Sequence, residues 1–258
     1  MFNLNNGGLF RYLFPDAYKT VEIDGQVIET FELIGNSLTV WIAFVLIVVI
    51  SSYLLGSINS AIIVSRVFHG DDIRRHGSGN AGLTNIHRTY GLGSAGLTLL
   101  GDVLKTAISI SIAGVLFGFH YFAGISVVGY GYLAGFMTVI GHVFPIYYGF
   151  RGGKGVLATA VTALILSPIV FVILMLLFVA IVWISRYISL GSVSVAILYP
   201  VLINGYMKVT MGTSPDIITA MTTIMIAILI VICHRGNLKR ISDRTEHKFS
   251  FGKKKSDE

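Results

Sequence analysis

The first long apolar stretch of the sequence, LTVWIAFVLIVVISSYLL, occupies residues 38–55 and carries no charged side chain. A helix needs about 20 predominantly apolar residues to cross the hydrocarbon core of a bilayer. The stretch continues through residues 56–59 to Val67, so it is long enough to cross. It predicts the first transmembrane helix of an integral membrane protein.

Further apolar stretches follow along the chain. They cover residues 91–119, 121–150, 156–166, 169–184, 188–206 and 217–233. Because the stretch at 156–166 is short for a crossing, the sequence predicts seven transmembrane helices, or six if this stretch does not cross. Only 12% of the 258 residues are charged, against about a quarter in soluble domains. The predicted fold class is an all-α, polytopic integral membrane protein.

Basic residues predict the orientation of these helices, because Lys and Arg concentrate in cytoplasmic loops. With seven helices and the N-terminus outside, only Arg11, Lys19 and Lys208 of the 19 basic residues lie outside, and Lys105 lies within the membrane. The inverted orientation would expose most of the basic residues outside. We therefore expect an extracytoplasmic segment at 1–37, with a small hairpin around Asp24-Gly25, a transmembrane domain at 38–234 and a basic cytoplasmic tail at 235–258. A basic tail after an apolar helix favours anionic lipid over nucleic acid as its partner.

Polar residues gather in three loops on the predicted cytoplasmic side. The first loop contains Ser78, Asn80, Asn85 and Arg88, the second contains His142 and Arg151-Gly152-Gly153-Lys154-Gly155, and the third contains His234 and Asn237. Glycines let backbone N–H groups converge on an anion, and Arg88, Lys154 and His234 supply positive charge. For one loop alone, tight turns and the positive-inside rule would explain these residues. For three loops on one face, we interpret them as a phosphate-binding site.

Two further groups of titratable residues bear on function. His142 lies near a predicted membrane boundary, which is typical of an acid–base or hydrogen-bonding group. Asp102 and Lys105 are three residues apart on one helix, so they either neutralise each other or take part in function. A metal site is not expected, since the sequence has no cysteine cluster and no spaced carboxylates among its histidines. The single cysteine, Cys233, excludes an intramolecular disulfide, and no cofactor is expected.

In order and spacing, the three loops resemble the motifs of the bacterial acyl-phosphate:glycerol-3-phosphate acyltransferase family, the PlsY type. The motifs are Gly77-Ser78-Gly79-Asn80 through to Arg88, Gly141-His142 through to Gly155, and His234-Arg235 with Asn237 and Arg240. The similarity runs from about Tyr53 to Phe249. It implies seven transmembrane helices with the N-terminus outside, in agreement with the distribution of basic residues.

The resemblance also implies an activity. A fatty acyl group would pass from acyl phosphate to the 1-hydroxyl of sn-glycerol 3-phosphate at the cytoplasmic face of the bacterial plasma membrane, giving lysophosphatidate and phosphate for phospholipid synthesis. A transient contact with the enzyme that forms acyl phosphate is a further expectation. The expected catalytic residues are His142, Lys154, Ser78 and Asn80. The expected substrate-binding residues are Ser78, Asn85, Arg88, Arg151, Gly152, Gly153, Lys154, Gly155, His234 and Asn237.

The sequence leaves two questions open, the proton acceptor and the class of protein. The proton of the hydroxyl passes either to a substrate phosphate oxygen or to His142 as general base. The second open question is the class of protein, for which the alternative to an acyltransferase is a membrane transporter for a phosphorylated solute. A transporter needs a polar path across the membrane, and only Asp102 and Lys105 are charged at membrane depth.

Overall fold

The structure is a computed structural model that describes residues 8–23, 26–31, 36–118, 121–122, 125–126 and 128–249. Its main body is a bundle of α-helices. The helices are α1 (Gly8–Leu13), α2 (Ser37–Ser57), α3 (Ser60–His69), α4 (Leu83–Phe117), α5 (Val128–Val143), α6 (Val156–Leu166), α7 (Pro168–Ser185), α8 (Ile188–Met211) and α9 (Ile217–Ser242). Two antiparallel hairpins accompany them, β1 (Tyr18–Ile23) with β2 (Gln26–Phe31) and β3 (Tyr121–Phe122) with β4 (Ile125–Ser126).

Five helical segments in the described residues are long and apolar enough to cross a membrane. They are Ser37–His69, Leu83–Phe117, Pro168–Ser185, Ile188–Met211 and Ile217–Ser242. Helices α5 and α6 are shorter, with 16 and 11 residues. The bundle is helical as predicted, although the two hairpins make the described chain not strictly all-α. Strands β1 and β2 flank the predicted turn at Asp24-Gly25, a pair that lies outside the described residues.

Two helical regions are interrupted, in each case for a local reason. The first break divides a predicted helix, and the second lies at Gly91, the first residue of the predicted stretch 91–119. The apolar stretch at 38–67 forms both α2 and α3, because the Asn59 side chain accepts a hydrogen bond from the Ile62 N–H at 3.1 Å and caps α3. Within α4, Gly91 has a φ of +83° and leaves the helical conformation. Since glycine tolerates positive φ, the break at Gly91 separates the polar first turns of α4 from its apolar part.

Helix α5 lies at the centre of the bundle and packs against α2, α4, α6 and α9. Its contact with α2 is close because two glycines face backbone atoms. A Cβ atom at Gly56 would clash with the backbone of Thr138, and one at Gly141 would clash with the Tyr53 carbonyl. Small residues permit such close approach between helices in membranes. Because His142 follows Gly141, the same contact fixes the position of His142.

The first and second polar loops are joined through Arg74. Its guanidinium donates hydrogen bonds to the carbonyls of Tyr148 at 2.8 Å and Arg151 at 3.2 Å. It also forms an ion pair with Asp72 at 2.7 Å. The hydrogen bond from Arg74 is the main reason why the pKa of Asp72 lies well below its usual range. The two loops therefore form one unit at this end of the bundle.

Candidate active site

The three polar loops surround a cavity of about 610 Å³ at one end of the bundle. Most of the residues expected at the site line it: Ser78, Asn80, Asn85, Arg88, His142, Lys154, Gly155, His234 and Asn237. Three expected residues, Arg151, Gly152 and Gly153, are not part of its wall. Deeper in the bundle the wall becomes apolar and is formed by side chains such as Phe171, Leu174 and Phe178. The cavity thus has a polar upper part and an apolar lower part.

The first loop is held in shape by the buried Asn85 side chain. Its oxygen accepts a hydrogen bond from the Ser78 N–H at 3.0 Å. Its amide nitrogen donates to the carbonyls of His76 at 2.9 Å and Asn80 at 3.1 Å. Both functions of the amide are therefore engaged within the protein. Asn85 orders the loop that carries Ser78 and Asn80, and it contributes to the site by positioning those residues.

The second loop lies directly on the end of α5. The N–H groups of Gly152 and Gly153 donate to the carbonyls of Val143 at 3.1 Å and His142 at 3.0 Å. A side chain at Gly153 would clash with the His142 ring. These two N–H groups are engaged within the protein, in contrast to the expectation that they point at a phosphate. Because Gly152 and Gly153 have no side chains, Lys154 can approach the cavity from beside His142.

Two helices begin at the wall of the cavity. Helix α4 begins at Leu83 and α6 at Val156, and the first residues of both line the cavity. The first turn of a helix has N–H groups with no intrahelical partner, and the helix dipole is positive there. Both helix ends therefore favour an anion in the upper part of the cavity.

A buried ion pair adjoins His142 from the membrane side. Lys105 Nζ lies 2.8 Å from Asp102 Oδ1 and 3.0 Å from His142 Nδ1. Lys105 also donates to the carbonyls of Gly56 and Ile58, and Ser60 Oγ donates to Asp102 at 3.0 Å. Asp102 and Lys105 neutralise each other, as one of the two sequence interpretations has it, and they also hold His142.

The contact with Lys105 favours one of the two nitrogens of His142 as the site of the proton. A lysine ammonium has only donors, so Nδ1 of His142 accepts the hydrogen bond. A neutral ring then carries its proton on Nε2, the nitrogen that lies beside Gly153, and the His142 ring lines the cavity. His234 is arranged in the opposite way, because its Nδ1 lies 2.8 Å from the Ile230 carbonyl, which can only accept. In the neutral His234 ring, Nε2 is therefore an acceptor.

The third loop contributes a network that extends into the chain after α9. Lys154 Nζ donates to the Asn237 side-chain oxygen. The Asn237 amide donates to Glu246 at 2.6 Å, and Glu246 also accepts from Ser189 at 2.9 Å and from Arg240 at 2.7 Å. Burial lowers the pKa of Lys154, and the Glu246 carboxylate acts in the opposite direction. The network holds the one lysine of the second loop at the cavity wall.

Residues 243–249, which we call the C-terminal strap, fold back across the mouth of the cavity. The Phe249 N–H donates to the Arg186 carbonyl at 2.7 Å, and Thr245, Glu246, His247 and Phe249 line the cavity. Sequence analysis did not assign Glu246 or Ser189 to the site. Apart from the family resemblance, which extends to Phe249, no sequence signal identifies them, because their contact depends on how the strap folds back.

Fold and site together define a helical integral membrane protein with a basic polar chamber that opens into an apolar slot. A family model described as glycerol-3-phosphate acyltransferase matches residues 46–244. The chain belongs to this family.

Individual relatives agree with this assignment. The glycerol-3-phosphate acyltransferase of Syntrophomonas wolfei is 40% identical over 198 residues, which cover 77% of this chain and 93% of the relative. That of Geobacillus kaustophilus is 35% identical over 210 residues, which cover 81% and 98%.

Two solved structures share the fold. Both are crystal structures of PlsY (YgiH), described as an integral membrane glycerol 3-phosphate acyltransferase. The glycerol 3-phosphate form matches with a TM-score of 0.69 and 32% identity, over 80% of this chain and 96% of that chain. The lysophosphatidic acid form matches with a TM-score of 0.66 and 30% identity, over 80% and 95%.

Proposed function

We propose that this protein transfers a fatty acyl group from acyl phosphate to the 1-hydroxyl of sn-glycerol 3-phosphate, releasing lysophosphatidate and phosphate. The observation that carries the proposal is that one continuous cavity joins a basic polar chamber to an apolar slot. Acyl phosphate has the same two parts, an anionic head and an apolar tail. The relatives named as glycerol-3-phosphate acyltransferases, and PlsY in its two liganded forms, support the acceptor and the product.

The polar chamber offers several groups to two phosphorylated substrates. Lys154 and Arg88 supply positive charge, and the helix N-termini at Leu83 and Val156 supply N–H donors. Ser78 and Asn80 add neutral donors on the ordered first loop. His234 and Asn237 complete the chamber opposite them, and His234 in its neutral form accepts a hydrogen bond from a substrate hydroxyl. Arg151 lies outside the wall, so its role is to add to the positive field at the mouth.

Acyl phosphate is a mixed anhydride, so the reaction needs no covalent enzyme intermediate. The hydroxyl oxygen of glycerol 3-phosphate forms a bond to the carbonyl carbon, and the bond from that carbon to the phosphate oxygen breaks. Positioning both substrates and stabilising the oxyanion of the tetrahedral intermediate supply most of the catalysis. The proton of the hydroxyl leaves with the phosphate as it departs.

His142 acts in this reaction as a hydrogen-bond donor. Because Lys105 donates to Nδ1 at 3.0 Å, neutral His142 carries its proton on Nε2 and has no lone pair left for a general base. An Nε2–H group beside Gly153 is suited to a carbonyl or phosphate oxygen of the donor substrate. This arrangement favours the substrate phosphate over His142 as the proton acceptor.

The reaction takes place at the cytoplasmic face of the bacterial plasma membrane. We assign seven crossings by counting α5 and α6 with the five longer segments, so that the N-terminal segment 1–37 is outside, 38–234 is the transmembrane domain and the tail 235–258 is cytoplasmic. All three polar loops then lie on the side with most of the basic residues, as the positive-inside rule requires. Acyl phosphate and the enzyme that forms it reach the site from this side, and the basic tail faces anionic lipid.

The test is an acyltransfer assay with the full chain purified in detergent. Palmitoyl phosphate and glycerol 3-phosphate are supplied together, and phosphate release and lysophosphatidate are measured in parallel. We expect equal amounts of both products, and none with palmitoyl-CoA as donor. Lys154→Ala should lower turnover by about 10²–10³-fold, as expected for loss of a charged donor at a reacting group.

Lys208→Ala is the matched control, because Lys208 is exposed near the opposite end of α8. It should retain full activity. Transfer from palmitoyl-CoA alone would contradict acyl phosphate as the donor. Phosphate release without lysophosphatidate would contradict glycerol 3-phosphate as the acceptor, and equal loss in both lysine variants would contradict the role of Lys154.

A further inference from the structure

The apolar slot follows one face of α8 into the bundle. Ile188, Ser192, Ala196 and Tyr199 of this helix line it, at the spacing of residues that share a helix face. From Ile188 to Tyr199 the slot extends along about 16 Å of helix, at a rise of about 1.5 Å per residue. It is therefore a deep slot that runs lengthwise beside α8.

Four helices line the inner part of the slot. The deepest wall residues are Ala163 on α6, Phe171 on α7, Tyr199 on α8 and Ile230 on α9. About one turn deeper on α8 and α9, Ile203 and Ile226 are fully buried. They share one apolar cluster with Val170, which adjoins Phe171 on α7 and is 1% exposed. In the part of the chain that the structure describes, none of these three residues belongs to the wall of the cavity. The slot therefore ends on a solid core.

We propose that Tyr199 is the end stop of this slot and that it sets the longest acyl chain the enzyme accepts. This inference rests on the proposed function, because it assigns the slot to the acyl tail of the substrate. Tyr199 is fully buried and is the largest of the four deepest side chains. Ala196 and Ala163, the wall residues just before Tyr199, have the smallest side chains in this part of the wall.

The ring of Tyr199, and not its hydroxyl, closes the end of the slot. Its hydroxyl forms no hydrogen bond of good geometry with the described residues, although it lies near the hydroxyl of Tyr132. Because its hydrogen bonding is this poor, removal of the hydroxyl should cost little stability. Closely packed interiors yield little to an extra methylene, so a chain that reaches the ring meets a firm limit.

Competition between acyl phosphates of different length tests the proposal. Lauroyl, myristoyl, palmitoyl and stearoyl phosphate are supplied to the full chain in detergent, and kcat/KM is measured for each. Tyr199→Ala deepens the slot and should shift the preference toward longer donors, and Ala196→Leu fills it about one turn earlier and should shift it toward shorter ones. Discrimination of one methylene by an apolar pocket is about 10-fold or more, and neighbouring donors in this series differ by two methylenes. Ratios of kcat/KM between neighbouring lengths should therefore change by at least about tenfold.

Tyr199→Phe is the matched control, because it keeps the ring and removes only the hydroxyl, and it should keep the profile of the unsubstituted enzyme. Shifts in opposite directions for Tyr199→Ala and Ala196→Leu cannot arise from general loss of folding. An unchanged profile in an active Ala196→Leu enzyme would overturn the proposal, since the tail would then leave sideways between helices into lipid. Absence of transfer from every acyl phosphate, in the unsubstituted enzyme, would overturn the proposed function instead.

Discussion

At the scale of single residues, two histidines present opposite hydrogen-bonding faces to one cavity. Lys105 donates to Nδ1 of His142, and Nδ1 of His234 donates to the Ile230 carbonyl. The neutral rings therefore present a donor at Nε2 of His142 and an acceptor at Nε2 of His234. In our proposal, the donor meets an oxygen of acyl phosphate, and the acceptor meets a hydroxyl of the second substrate.

A pair of substitutions at His142 tests the donor role. Glutamine keeps a side-chain N–H donor but cannot act as a base, and alanine removes both functions. We expect His142→Gln to keep kcat within about tenfold of the unsubstituted enzyme and His142→Ala to lose about 10²–10³-fold, the range found for removal of an oxyanion donor. Both kcat and its pH profile should be measured with palmitoyl phosphate. A general base would be indicated if glutamine lowered kcat as much as alanine and the acid limb of the profile disappeared.

The sequence predicted most of these residues as members of the site, but it did not predict their contacts. The spacing of Asp102 and Lys105 predicts an ion pair, because residues three apart share a helix face. That Lys105 also contacts His142 depends on how α4 and α5 are rotated against each other, which a single sequence does not contain. In the same way, the sequence predicts a phosphate-binding loop at Gly152 and Gly153. In the structure, carbonyls of α5 accept the hydrogen bonds from their N–H groups.

At the scale of elements, the close contact between α2 and α5 determines where His142 lies. A Cβ atom at Gly141 would clash with the Tyr53 carbonyl, a backbone atom that cannot rotate away. Gly141→Ala should therefore separate the helices and destabilise the protein by about 1–3 kcal/mol. It should also lower kcat, because His142 moves with α5. Thermal unfolding in detergent and the acyltransfer assay measure the two effects.

Gly205→Ala is the control for this substitution. Gly205 lies within α8 and a Cβ atom there would meet no atom within 4 Å. Alanine in a helix interior is favoured over glycine by about 0.5–1 kcal/mol, so this variant should be as stable as the original or slightly more stable. If both glycine variants unfolded at the same lowered temperature, a general effect of substitution in detergent would explain the result and the close contact would not.

The C-terminal strap should respond to pH through Glu246. Burial acts to raise the pKa of this carboxyl, but hydrogen bonds from Asn237, Arg240 and Ser189 outweigh it and lower the pKa from the ordinary 4.5. A lowered pKa means that the carboxylate stabilises the fold above the ordinary pKa and loses this effect as pH falls through the lowered one. Glu246→Gln should therefore cost about 1–2 kcal/mol near neutral pH and little in acid.

Thermal unfolding of the unsubstituted protein and of Glu246→Gln, measured from neutral pH into acid, gives the difference in stability between them. Asp243→Asn is the control, since Asp243 is an exposed carboxylate just after α9. It should leave unfolding nearly unchanged. A difference between Glu246→Gln and the unsubstituted protein that stayed constant into acid would mean that the charge of Glu246 does not hold the strap.

Length and apolar composition predicted most of the helices, because a crossing helix must be a long apolar stretch. They did not predict where helices break or continue. Asn59 divides the first apolar stretch by capping α3, and α9 continues to Ser242, well past the apolar stretch that ends at Cys233. Both features depend on polar side chains whose partners are set by local hydrogen bonds.

At the scale of the whole molecule, the number of crossings decides on which side the site lies. Helix α6 has only 11 residues, about 16 Å of helix, against about 30 Å of hydrocarbon. If α6 does not cross, every element after it is inverted, and the three polar loops cannot share one side of the membrane. The cavity that these loops form together favours seven crossings.

Cysteine accessibility tests this topology directly. In a Cys233→Ser background, single cysteines are introduced as Asp16→Cys, Arg75→Cys, Thr213→Cys and Arg244→Cys, at exposed positions before α2, between α3 and α4, between α8 and α9, and after α9. Seven crossings predict that an impermeant maleimide labels Asp16→Cys and Thr213→Cys in right-side-out vesicles, and Arg75→Cys and Arg244→Cys in inverted vesicles. With six crossings, Thr213→Cys and Arg244→Cys would exchange sides while Asp16→Cys and Arg75→Cys kept theirs. Because the strap that carries Arg244 closes a cavity also lined by Ser78, that exchange would contradict a cytoplasmic active site as well as the helix count.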